Sequence, residues 1–166
     1  MASDITLDQL HATIQAAFGW LGGHLWVFTT AEGEYGLPDP ELGHVDAAGR
    51  TLVAVAPRPG DRLRYTYDFG DDWEHEILVE DVTGAEPGVA YPRCLTGRRA
   101  APPDDCGGIW GYQDLLEALA DPAHPEHAER LEWLGLYSAG DLDPSRFDRV
   151  RVDAALSRLA TVIEPD

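Results

Sequence analysis

The chain has 166 residues, 44% of them apolar, and 30 acidic side chains against 12 basic ones give it a net charge of −18. That length and apolar share fit a single domain with a sizeable core, over residues 1–166, and exclude a wholly disordered protein. So acidic a surface repels phosphate backbones and anionic lipid, which argues against direct nucleic-acid binding and against a membrane-surface protein. Every basic residue is an arginine, and only Arg93, Arg98 and Arg99 cluster. Nearby acids such as Asp104 and Asp105 are expected to neutralise that cluster. The start, MASDITLDQL, is too polar for a signal peptide or a spanning helix, so a cytoplasmic protein is expected. In a reducing compartment Cys94 and Cys106 are expected to be thiols or metal ligands rather than a disulfide.

The first predicted element is a helix. Thr6 and Gln9 form a T-x-x-Q capping box, with Ile5 and Leu10 placed as a hydrophobic staple. Leu7, Leu10, Ile14, Ala17 and Phe18 make one apolar stripe, and Gly19 suits its end. His11 lies beside the stripe, as a structural histidine. His24 to Thr30 reads as a strand. Ala31 to Arg50, with Gly33, Gly36, Gly43, Pro38 and Pro40, reads as loop. Thr51 to Ala56 is apolar but ambiguous in type.

Arg62 to Val82 reads as a hairpin. Leu63, Tyr65, Tyr67 and Phe69 alternate with Arg62, Arg64, Thr66 and Asp68. Beyond Gly70–Asp72 the alternation resumes, with Trp73, His75, Ile77 and Val79 on one face and Glu74, Glu76 and Glu80 on the other. An odd-numbered loop keeps the two apolar faces together. With residues 70–72 as the loop, Leu63 opposes Val79, Tyr65 opposes Ile77, Tyr67 opposes His75 and Arg62 opposes Glu80. Asp68 then falls near Glu74, a like-charge contact that a cation, Arg64 or water must relieve. Asp68-Phe69-Gly70 spells the kinase magnesium tripeptide, but a kinase needs a phosphate-anchoring lysine and this chain has none. A calcium loop starting at Asp68 needs glycine sixth and glutamate twelfth, where Trp73 and Val79 stand.

Gly84 to Gly108 is a long proline- and glycine-rich connection, of a kind that often carries function. The remaining third reads as helices: one carrying Tyr112, Leu115, Leu116 and Leu119, a second carrying Ala128, Leu131 and Leu134, and a helical turn at Asp143-Pro144. A last helix, capped by Asp148, carries Val152, Leu156 or Ala155, Leu159 and Val162 or Ile163. Strands early and helices late predict an α+β fold: a small, mainly antiparallel sheet with a central hairpin, covered by the N-terminal helix and the C-terminal helices.

Several blocks resemble the plasmid pRiA4b ORF-3-like family, whose members also occur as insertion-sequence passenger proteins under a TnpR-like label. They are TLDQLHATIQAAFGW, HLWVF, YTYDFGDDWEHEI, YPRCLTGRRAAPPDDCGG and GYQDLLEALADPAHPEHAERLEWLG. The resemblance covers most of the chain and implies an α+β fold. It implies no established activity. Recombinase chemistry does not carry over, because the chain holds neither a recombinase block nor a basic DNA-binding tail. The family pattern also has a strand pair ahead of the first helix, whereas this sequence begins almost at the helix: either its start is misassigned, or the chain is shortened, or this member does without the pair. In the last two cases an unpaired sheet edge is expected, with self-association or coverage by the C-terminal segment.

These features favour a cytoplasmic accessory protein of the plasmid or mobile-element type, acting as a non-enzymatic interaction module for a protein partner. Five tryptophans and six tyrosines are the kind of residue that anchors interfaces. The alternative is a metal-dependent hydrolase built on the YDFGDDWEH turn and the PPDDCGG loop, with His24, Asp71, His75 and Asp105 converging on zinc or manganese. Asp68, Trp73, Cys94, Asp104 and Cys106 are further candidates; the cysteine spacing gives only a weak zinc signal. Against the metal set stands a purely structural arrangement, in which His75 packs beneath Tyr67 and Asp71 caps its own turn.

Overall fold

The computed structural model describes residues 1–39 and 41–162. Its centre is a five-stranded sheet in the order β3-β2-β1-β4-β5. The strands are β1 (Trp26–Thr30), β2 (Gly33–Gly36), β3 (Val45–Asp46), β4 (Arg62–Tyr67) and β5 (Trp73–Leu78). All pairings are antiparallel except the short β2–β3 contact. The helices are α1 (Leu7–Phe18), the single turn α2 (Leu52–Val55), α3 (Gly108–Ala120), α4 (His127–Leu134) and α5 (Arg149–Leu156). A two-residue β6 (Ala90–Tyr91) pairs with β7 (Thr161–Val162). The α+β expectation holds, but the β4–β5 hairpin is not central: β4 lies inside the sheet beside β1, and β5 forms its edge. None of the described helices is long and apolar enough to cross a membrane.

The sheet is buried on one face, as its alternation demands. Phe28, Leu63, Tyr65 and Tyr67 are at most 2% exposed and pack with Trp26, Trp73, Leu7 and Leu10. The opposite face carries Arg62, Arg64, Glu74 and Glu76. There Arg62 pairs with Glu76, and Arg64 with Glu74 at 3.3 Å. Exposed pairs of this kind add little stability.

α1 begins and ends as its sequence dictates. The Thr6 N–H donates to Gln9 Oε1 at 3.0 Å, and Gly19 closes the helix at φ 77°, its N–H donating to the Gln15 carbonyl. His11 stacks on Trp26 at 4.2 Å and meets the Tyr65 hydroxyl at 2.7 Å. Burial lowers its pKa to about 4, against a smaller opposing pull from Asp8. Above pH 6.5 the ring is neutral in folded and unfolded chains alike. Between pH 6.5 and about 4 only the unfolded chain takes up the proton, so stability falls as pH falls through that window. Burial lowers the His75 pKa too, with the same sign. Partial solvent access holds the His11 loss to about 1–2 kcal/mol. Urea midpoints at pH 7.5 and 4.5 should show it, with a shallower pH slope in His11→Gln.

Several details differ from the sequence reading. The hairpin loop spans five residues, Asp68 to Asp72, so Leu63 faces Ile77, Tyr65 faces His75, Tyr67 faces Trp73 and Arg62 faces Leu78. The face assignment survives because five, like three, is odd. Asp68 leaves the strand in a left-handed conformation (φ 56°), away from Glu74's register, and Phe69 turns outward at 40% exposed. Residues 31–50 hold β2, β3 and a 3-10 turn (Ala47–Gly49) rather than loop alone. The last helix stops at Leu156, not beyond Leu159; Ile163 lies outside the described residues.

Candidate functional site

The site is built at one end of the sheet, where β4 stops and the chain before β1 arrives. Asp68 ends β4 with its N–H donating to the Leu25 carbonyl at 2.8 Å, which ties the turn to the mouth of β1. Its two carboxylate oxygens do different work. Oδ1 accepts from the Gly70 N–H at 2.9 Å and the Asp71 N–H at 3.3 Å, closing an Asx-type turn. Oδ2 faces His24 Nδ1 at 3.4 Å. Asp68 is only 7% exposed, so an anion is held against an imidazole in a largely desolvated position.

The PPDDCGG loop brings the third group, and four hydrogen bonds fix it. Asp104 Oδ2 accepts from the Leu21 N–H at 2.9 Å and from the Tyr67 hydroxyl at 3.4 Å. The Trp20 indole donates to the Pro102 carbonyl at 2.9 Å. Asp71 Oδ2 accepts from the Gly107 N–H at 2.9 Å. Gly108 has φ 67°, and a Cβ there would stand 2.3 Å from the Asp71 carbonyl, so glycine alone lets the loop press on the turn. Asp105 is thereby set beside the other two, itself at φ 59°. One donor atom each from His24, Asp68 and Asp105 lie within 4.8 Å of one another. A non-glycine residue in the left-handed region costs energy, and two of the three residues adopt it.

The sequence-based set is therefore divided. His24 and Asp105 come together, and Asp68 is the carboxylate that joins them. Asp71 serves as the clamp between turn and loop; it is Asp68, not Asp71, that caps the turn. His75 faces the core beside Tyr65 (5.6 Å), Phe18 (5.2 Å) and Trp20 (5.7 Å). Asp104 orients the loop and helps raise the Tyr67 pKa to about 12, after burial as the main cause. Trp73 packs in the core, its ring tilted by 40° against Trp20 at 5.8 Å. Both cysteines are free. The Cys106 thiol is pushed up to about 11, by burial first and Asp71 next, and the Cys94 thiol donates to the Thr96 carbonyl. Neither joins the three-residue cluster. The expected pairing of the arginine cluster holds only for Arg93, which binds Glu86 at 2.7 Å; no carboxylate among the described residues lies within 4.0 Å of Arg98 or Arg99. What the hairpin pattern could not disclose was that Asp68 leaves the alternation; the polar run after Tyr67 was the available signal.

Comparison with known proteins fits the same architecture. The uncharacterized protein y4hQ of Sinorhizobium fredii is 42% identical over 159 residues, spanning 94% of this chain and 80% of that protein. The crystal structure of MM3350, a protein of unknown function from Methanosarcina mazei Go1, matches with a TM-score of 0.75 at 33% identity, over 90% of this chain and 84% of that one. The family model described as plasmid pRiA4b ORF-3-like protein matches residues 1–153, which include the β4–β5 turn and the PPDDCGG loop. By that match and those relatives, the chain belongs to the plasmid pRiA4b ORF-3-like family.

Proposed function

We propose that His24, Asp68 and Asp105 hold one divalent cation, and that the protein is a metal-dependent hydrolase. The observation that carries this reading is the convergence of one imidazole and two carboxylates within 4.8 Å. Mixed nitrogen and oxygen donors suit zinc or manganese. Three protein ligands leave coordination positions for water, whose pKa an ion of this kind lowers toward neutrality. Asp68 Oδ1, already committed to two backbone N–H groups, keeps the carboxylate oriented while Oδ2 faces the ion. Calorimetric titration of zinc and manganese into chelator-treated protein should give one site. His24→Ala should abolish it, whereas His75→Ala should not. A panel of phosphoester, ester and amide substrates with each metal then reads the activity. Absence of binding heat would remove the metal, and silence across the panel would remove the hydrolase.

A second reading, the interaction module, is favoured by the sheet edge. β5 has β4 on one side and no strand among the described residues on the other. Such an edge offers unpaired N–H and C=O groups to a further strand, including one from a second copy. Sedimentation showing concentration-dependent dimers, together with amide protection along residues 73–78, would support it. A compact monomer with fast exchange there would contradict it.

A further inference from the structure

A groove of about 970 Å³ opens between the C-terminal end of α1, the β4–β5 turn, residues 94–102 and the segment around α5. Its volume is that of a small-molecule site. Trp20, Trp73 and Phe147 give it aromatic walls. The Phe147 ring fills the place a Cβ at Gly97 would take, 2.3 Å from the ring, which locks residues 94–102 onto the segment before α5.

Four of the chain's 12 cationic side chains line this one groove: Arg98, Arg99, Arg146 and Arg151. Arg146 is paired with Asp148 at 3.7 Å. No carboxylate among the described residues lies within 4.0 Å of the guanidinium groups of Arg98, Arg99 or Arg151. That is unusual in a chain with 30 acids, where a cation is readily neutralised. Of the five acids on the groove wall, all but Asp72 are already paired or hydrogen-bonded. Glu74 binds Arg64, Asp141 accepts from the Ser138 N–H at 2.8 Å, Asp143 accepts from Ser145, and Asp148 accepts from the Arg151 N–H at 3.0 Å. A separate observation points the same way. Trp73 is 8% exposed, yet its buried indole N–H has no acceptor. A buried donor of that kind normally finds a partner.

We propose that this groove binds a small organic oxyanion, a phosphoryl- or carboxylate-bearing molecule with a flat apolar body. Arg98, Arg99 and Arg151 hold the anionic group by charge-assisted hydrogen bonds. The body lies against Trp20 and Phe147, and the Trp73 N–H donates to an oxygen of the ligand. The site is distinct from the His24–Asp68–Asp105 cluster and does not depend on a metal there.

The test uses chelator-treated protein, so that binding is read without metal or turnover. Phenyl phosphate, benzoate and phenol are titrated by calorimetry. One-to-one binding of phenyl phosphate or benzoate, with none for phenol, is expected. The tighter of the two anions identifies the group as phosphoryl or carboxylate. Affinity should fall at least about tenfold in Arg98→Gln/Arg99→Gln and also in Trp73→Phe. If the double variant melts early, Arg151→Gln carries the comparison. The proposal is overturned if neither anion binds at millimolar concentration. It is equally overturned if phenol binds as tightly, or if a folded arginine variant binds the anion unchanged.

Discussion

Asp68→Asn is expected to lower zinc or manganese affinity by about 100-fold or more while leaving the fold intact. The asparagine carbonyl can still accept from the Gly70 and Asp71 N–H groups, and asparagine tolerates the left-handed backbone that Asp68 adopts at φ 56°. Only the negative charge facing His24 at 3.4 Å is lost. Loss of metal therefore reports the ligand role and not a collapsed turn. Equilibrium dialysis against zinc, with a melting curve on the same sample, separates the two. A variant that melts like the parent and binds as tightly would remove Asp68 from the ligand set.

Phe28→Ala is expected to cost about 3–5 kcal/mol, the largest stability loss of any change considered. Phe28 is fully buried at the middle of β1, 4.7 Å from the Tyr65 ring and 5.7 Å from Trp26. Its neighbours are large aromatics held by their own contacts, so the space left behind cannot close cheaply. Tyr65 is additionally held by Gln15, whose side-chain N–H donates to its hydroxyl at 2.9 Å, so that ring cannot swing into the gap. Arg64→Ala, on the exposed face of the same sheet, should stay within about 0.5 kcal/mol. Urea denaturation of the two variants side by side measures the difference; equal midpoints would contradict the one-sided core.

The fold was legible where side-chain periodicity is strong. Leu63, Tyr65 and Tyr67 alternate cleanly, and the Thr6–Gln9 box and Gly19 mark both ends of α1. Register was not legible, because alternation fixes which face a residue takes but not where the turn begins. Asp68 continues the alternation on paper and leaves the strand in space. β2 was hidden because both of its end residues, Gly33 and Gly36, are glycines and no β-branched residue lies within it. β3 is too short for any pattern to show.

The site was half legible for a related reason. His24 and Asp105 stand out as chemically capable residues in glycine-rich surroundings. Their common partner could not be chosen from sequence, because Asp68, Asp71 and Asp72 are equivalent in composition. What separates them is backbone: Asp68 reaches back to the mouth of β1, and Asp71 reaches across to Gly107. His75 keeps strict alternation with Trp73 and Ile77, and that periodicity, not its chemistry, sends it into the core.

The most direct test of the metal centre is crystallographic. Crystals of the protein equilibrated with zinc, measured on both sides of the zinc absorption edge, should show one anomalous peak. It should be bonded to His24, Asp68 and Asp105 at about 2.0–2.2 Å. An ordered crystal with no anomalous density among these three residues, or with the ion on other ligands, would contradict the account.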